Sequence, residues 1–289
     1  MTHTSNKGIL FALTAALLNS SIAIISKSLL PELAPALIAL YKSALGALLL
    51  WIFVRQKTPL KLPVVLACAF LGIFCLFFFE TSAYQHEKAS NVVFAMMASA
   101  TVTAFACDLI TKRETASLGK SLGLLLCLGG MALLLNIEKP ASMIGVLLAA
   151  LAGVGYGAFS VVAKAKKLGS GLVVTRALLT AGAVYLIVPA AVTGFKIPTW
   201  HALALLLALA ALPSILGFYC TTKAVELTTP TRVQICELCE PIFVLALSFL
   251  ILGELPAEKN LLGSAIILFG IACANFDIFK KEKSVALAS

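Results

Sequence analysis

Apolar runs of about 20 residues, the length that crosses a bilayer as a helix, recur ten times along the chain. In the first half they cover residues 8–26, 35–54, 63–83, 91–111 and 119–137. In the second half they cover 142–163, 172–193, 201–222, 231–253 and 261–279. Little of the 289-residue chain is left over, so the loops must be short and no soluble domain of useful size remains. In hydrocarbon each backbone N–H and C=O has to be bonded within the protein, which favours helices. A β-barrel would show short alternating segments instead. Only 12% of the residues are charged, whereas a soluble domain carries about 25%. The expected fold class is therefore an all-α integral membrane protein with ten transmembrane helices. The N-terminal run is read as the first span and not as a cleaved leader, because it is long and has a counterpart later in the chain.

The net charge of +9 is spread over many short loops. One alternating set holds Lys7; Arg55, Lys57 and Lys61; Lys112, Arg113 and Lys120; Lys164, Lys166 and Lys167; and Lys280, Lys281 and Lys283. The opposite set holds Lys27, Lys88, Lys139, Lys196 and Lys259, thirteen cations against five. The positive-inside rule then places both termini in the cytoplasm of a cell (inner or plasma) membrane. Nucleic acid is not an expected partner, since no single basic patch forms.

The two halves resemble each other. A shift of 140 positions carries Glu114 onto Glu254, Gly123 onto Gly263 and Gly130 onto Gly270. At the front a shift of 137 pairs Gly8 with Gly145, Ala15 with Ala152 and Lys27 with Lys164. The units are residues 1–139 and 140–289, with five spans each. Because five is odd, the second unit must enter the membrane from the opposite face. Inverted repeats of this kind have two near-equivalent packings, one open to each side, and hold substrate near the midplane.

The stretch PIFVLALSFLILGELPAEKNLLGSAIILFGIACA resembles the signature of the drug/metabolite transporter superfamily, EamA type. Its marks are Pro241, Gly253, Glu254, Gly263 and Gly270. The first half keeps Glu114, Gly123 and Gly130, with Thr101 where the family often has proline and Arg113 where it often has glycine. The resemblance implies ten helices, both termini inside, a central cavity and transport of a small organic metabolite. It names no substrate.

The polar residues inside the spans point to a site. Glu240 follows the start of the ninth run by nine residues, so it lies roughly 14 Å into a core about 30 Å thick. Glu237, three residues earlier, shares its face, and Gln234 begins that polar stripe. A lone carboxylate at this depth costs about 3 kcal/mol or more, and such acids mark substrate or proton pathways. Pro241 removes a backbone hydrogen bond and bends the helix; the alternative is a packing kink with Glu240 in a static ion pair. Lys42 is expected either to neutralise Glu240 or to hold the carboxylate of an amino-acid-like substrate. Arg176 is its repeat counterpart, for which snorkelling to the headgroups is the other reading. Asn19 and Tyr156 occupy equivalent midplane positions and line the cavity or bond between helices. Glu80, Lys223, Glu226 and Arg232 are read as gate charges or a solvated rim, and the aromatic run FCLFFFE as mostly lipid contact.

The pair Cys236 and Cys239 invites a metal or redox reading, but a structural metal site needs four ligands or three plus water. No second CxxC or CxxH pair exists. Cysteine inside a span behaves as a small hydrophobe, so no metal or cofactor is expected. Nothing resembles a phosphate-cradling P-loop, which leaves a secondary transporter driven by a gradient or by exchange, with the proton as a compatible coupling ion. The expected cargo is a small polar metabolite, an amino acid or related compound first, moved by export or exchange. The other classes are a non-transporting subunit or lipid-linked-substrate flippase, and a membrane enzyme. The enzyme is disfavoured because the only aspartates, Asp108 and Asp277, stand far apart without acidic neighbours. Glycine-lined faces leave a homodimer open.

Overall fold

The structure is a computed structural model and describes residues 2–56, 59–112, 118–135, 140–252 and 257–286. Lys57, Arg113, Glu114, Lys139, Gly253 and Glu254 lie outside the described residues, as do the side chains of Lys280, Lys281 and Lys283.

Among the described residues the regular structure is helical throughout. The first apolar run forms α1 (Thr2–Asn19) and α2 (Ile22–Leu29), and the second forms α3 (Pro35–Phe53). The third is α4 (Leu62–Ala69), a π-helical stretch over Phe70–Phe78, and α5 (Phe79–His86). Then come α6 (Ala89–Ile110), α7 (Leu118–Leu134), α8 (Met143–Ala165) and α9 (Leu172–Thr193). The eighth run is α10 (Trp200–Leu209), a second π-helical stretch over Ala210–Gly217, and α11 (Phe218–Leu227). The ninth is split into α12 (Pro230–Glu237) and α13 (Glu240–Leu252), and the last is α14 (Glu258–Ala286).

Helix starts follow local chemistry. Proline sits in the first turn of α3, α4 and α12, where its missing N–H has no intrahelical partner to lose. The Thr199 and Ser142 hydroxyls accept from Ala202 N and Gly145 N and cap α10 and α8. The π-helical turns fall 140 positions apart, at equivalent places in the two halves. In the second, Pro213 cannot donate to Leu209, and the Ser214 hydroxyl reaches back to that carbonyl at 2.8 Å.

Among the described residues, seven helical spans are long and apolar enough to cross a membrane by length and composition, and Gly119–Leu134 is a shorter apolar helix. One expected span is interrupted for a physical reason. The ninth run breaks at Leu238 and Cys239 into pieces of 8 and 13 residues. Large apolar side chains such as Leu10, Leu62, Leu125, Leu147 and Val188 are exposed around the outside, as a lipid-facing belt requires.

The halves pack by exchange. α7 lies against α14, and α3 lies against α9. Between halves, α6 packs on α8 while α12 and α13 pack on α1; α5 packs on α8 while α11 packs on α1. Each contact thus occurs in its swapped form, as a two-fold relation demands. The clearest case is α7 with α14. A Cβ on Gly123 would stand 2.6 Å from the Gly270 carbonyl oxygen, and one on Gly130 2.8 Å from that of Gly263. The partner number falls as the first rises, so these equivalent helices run antiparallel.

Loop contacts divide into two sets, one at each end of the bundle. At one end the backbone N–H and hydroxyl of Thr199 bond the Glu32 carboxylate at 2.7 and 2.9 Å and hold it below the usual carboxylate range. Glu87, at the same end, accepts from the backbone N–H of Ser142 at 2.9 Å, from that of Lys88 at 2.8 Å and from the Asn91 amide at 3.2 Å. Burial opposes its charge, but these donors prevail and its carboxyl stays below the usual range. At the other end Asp108 accepts from the Thr231 N–H and hydroxyl at 3.0 and 2.7 Å. Lys164 donates to the Glu226 carbonyl at 2.8 Å there.

Candidate functional site

The breaks in the first and ninth runs meet at the centre of the bundle. α1 ends on Asn19 before the Ser20–Ser21 turn, and α1 packs on α12 and α13. Ser20 and Ser21 direct their hydroxyls back to the Leu17 and Leu18 carbonyls at 2.6 and 3.0 Å, which competes with regular helix. In the ninth run Pro241 supplies no N–H for the Glu237 carbonyl. The chain tightens there, with Cys239 N bonding Cys236 O and Ile242 N bonding Cys239 O at 3.3 and 2.9 Å. Glu237 therefore ends α12 and Glu240 begins α13, where the positive end of the helix dipole favours a carboxylate.

A small, near-closed central cavity lies beside these breaks. Asn19 and Ile22 line it from the first run, Lys42 from α3, Glu80 from α5, Tyr156 from α8 and Glu240 from α13. Met96 and Met97 of α6, and Pro213 and Ser214 of the second π-helical stretch, complete much of the wall. Its free space is about 20 Å³, room for a single water.

Glu240 is 4% exposed, and its Oε2 accepts no hydrogen bond. Lys42 does not neutralise it. The Lys42 ammonium faces Glu80 Oε2 at 4.0 Å and stands 3.8 Å over the centre of the Phe77 ring. Tyr84 donates to Glu80 Oε1 at 3.2 Å. Two expectations are corrected here. Glu80 is no rim charge, because it is 1% exposed; the run FCLFFFE is not mostly lipid contact at Phe77, which is also 1% exposed.

Glu237 belongs to a second, adjoining cluster. The Thr221 hydroxyl donates to its Oε1 at 3.1 Å, and Gln234 Nε2 lies 3.4 Å from its Oε2. Gln234 Nε2 also reaches the Ser160 hydroxyl at 3.3 Å. The Tyr156 and Thr221 hydroxyls are 3.2 Å apart; with the Thr221 proton directed at Glu237, Tyr156 is the donor. Tyr156 thus joins this cluster to the cavity it lines.

Other expected residues stay apart. Arg176 packs on the Trp51 ring at 4.3 Å and bonds the Val54 and Gln56 carbonyls. It lines a separate groove with Trp51 and Leu62, not the central cavity. Arg232 lies in the first turn of α12 and is not among the cavity-lining residues. Lys223 pairs with Glu226 at 2.8 Å on a partly exposed face. Sequence reasoning missed Met96, Met97 and Phe218, whose apolar types carry no signal, and Tyr84, Ser160 and Thr221. Proline at 213 and serine at 214 inside an apolar run were the usable hints. All eight cysteines are free thiols.

The profile of the EamA-like transporter family matches residues 6–136 and again residues 143–276. The chain belongs to the EamA-like transporter family. The two matches fall on the two halves that the exchange of contacts relates. One crystal structure superposes with a TM-score of 0.78 over 93% of this chain and 98% of the other, at 18% identity. It therefore shares the fold of this EamA-like chain. No curated protein sequence matches the chain at a significant level. The chain is an integral, multi-pass membrane protein of a transporter family, and its partners include lipid and a small-molecule substrate.

Proposed function

We propose that this EamA-like chain is a secondary active carrier of a small polar organic metabolite, working by alternating access around the central cavity. Ten spans form two inverted five-helix repeats, 1–139 and 140–289, with both termini in the cytoplasm of the cell membrane. Export or exchange is the direction, an amino acid or related compound the cargo, and a proton the coupling ion. The carrying observation is the Glu240 carboxylate, buried at a broken helix, without a partner on one oxygen, and facing a cavity lined from both halves. The antiparallel packing of α7 on α14 supports inversion, because a two-fold that exchanges antiparallel spans lies across them. The near-closed cavity suits an occluded carrier, and the swapped arrangement of the same contacts supplies the second state.

Asymmetry supports that reading. The first and ninth runs are broken at the cavity, whereas their equivalents α6 and α8 are continuous. Exchanging which pair is broken would open the cavity to the other side. Purified protein in liposomes tests the function. Counterflow of labelled amino acids above that of empty vesicles, with the label chemically unchanged, is expected. Chemical turnover of the label would favour an enzyme, and neither flux nor turnover would favour a subunit role.

A further inference from the structure

The charges that face the central cavity are Lys42, Glu80 and Glu240. Lys42 is already engaged, with Glu80 at 4.0 Å on one side and the Phe77 ring beneath it. Glu80 is held in turn by the Tyr84 hydroxyl. Glu240 is 4% exposed and its Oε2 has no donor. The neighbouring acid Glu237 brings no cation, since its partners Thr221 and Gln234 are neutral. With all three cavity groups ionised, the space carries one negative charge more than it balances.

An uncompensated buried charge is costly. A ligand bearing one positive charge removes that cost, and an anion doubles the surplus. A zwitterion can dock its ammonium on Glu240, but its carboxylate reaches Lys42 only by opening the Lys42–Glu80 pair. Around the acid the wall is apolar and polarizable, with Leu76, Phe77, Met96, Met97 and Phe218. Sulfur and aromatic faces suit the carbon skeleton of an amine.

We propose that Glu240 is an ammonium-binding site and that the cargo class is organic amines, with amino acids held by their amino end and simple carboxylic acids excluded. This rests on the carrier reading and sharpens its substrate class. Asn19, from the opposite repeat, adds a neutral hydrogen-bonding group to the same space.

The test uses three amines and the carboxylic acids of matching skeleton: ethylamine and propionate, isopentylamine and 4-methylpentanoate, phenethylamine and 3-phenylpropionate. Binding to the purified full chain is read as a thermal shift, and flux is read in proteoliposomes. At least one amine should bind tenfold or more tightly than its matched acid. Glu240→Gln should weaken that amine at least tenfold, and Glu240→Asp, which keeps the charge, should retain most of the affinity. The two variants' own melting curves show that each is folded. Acids binding as well as amines, no binding by any amine, or undiminished amine affinity in Glu240→Gln would each overturn the proposal. Flux of an acid with no amine binding overturns the amine site and leaves the carrier standing. Glu240-dependent amine binding without flux of any compound supports the site and overturns the carrier.

Discussion

At the residue scale, the central question is which acid Lys42 serves. The 4.0 Å approach to Glu80 makes that pair a structural unit, and breaking one side of a buried pair costs about 3–5 kcal/mol. Lys42→Met and Glu80→Gln should each lower stability by that order, measured by denaturation in a fixed detergent. Combining them should recover most of the loss, because no unpaired charge remains. Lys42→Met combined with Glu240→Gln should show no such recovery. If instead it recovers as fully as the Glu80 pair, Lys42 serves Glu240 and the assignment is wrong. Glu240 is expected to behave differently in kind. Its carboxylate has no donor on one oxygen, so Glu240→Gln should cost little stability while reducing amino-acid counterflow tenfold or more. Normal counterflow in that variant would remove Glu240 from the transport path.

At the element scale, close backbone approach holds the outer helices together. Hydrocarbon gives little drive for helices to associate, so small residues that let backbones touch matter more there. Gly123 and Gly130 meet the Gly270 and Gly263 carbonyls, whereas a Cβ on Gly129 would meet nothing within 4 Å. Gly123→Ala and Gly130→Ala should therefore destabilise by about 1–3 kcal/mol through overpacking. Gly129→Ala should be neutral or stabilise by up to about 1 kcal/mol, since alanine is the better helix former. Three equal melting shifts would refute the contact argument. Gly123 and Gly130 were legible in the sequence because they recur at a shift of 140, and so was the break at Pro241. The π-helical stretch Phe70–Phe78 was not legible: it contains no proline, and its signal is the packing of other helices. Gly155 of α8 stands against the Leu71 carbonyl and Cys75, and Gly182 of α9 against Ile73. The burial of Glu80 and Phe77 beside Lys42 likewise rests on contacts between spans, which spacing along one run does not show. The split of charged loops into two sets was readable, while the residues joining loops at each end were not, because their partners are far apart in sequence.

At the scale of the whole molecule, the two repeats are tied at their loop ends as well as in the core. Glu87 follows α5 and belongs to the first half, yet its carboxylate accepts the Ser142 N–H at the start of α8 in the second. It also receives Lys88 N and the Asn91 amide. Each such bond to a charged acceptor favours the ionised form, and together they outweigh the opposing effect of burial. The folded carboxyl therefore loses its proton at lower pH than the unfolded one. By linkage, its contribution is present above the unfolded value, near pH 4.5, and fades as pH falls through the lower folded value. Glu87→Gln removes the charge but keeps the shape, so at pH 7 it should destabilise by about 1 kcal/mol after allowance for solvent at the membrane edge. The gap between wild type and variant should narrow steadily as the melts are moved from pH 5 towards pH 3. A gap that stays constant or widens on acidification would show that the carboxylate is not the tie between the halves. Under the proposed alternating access the halves move against each other, so the same variant should also change the counterflow rate without altering which compounds exchange. A changed substrate preference would place Glu87 in the recognition of cargo and not in the joint between repeats.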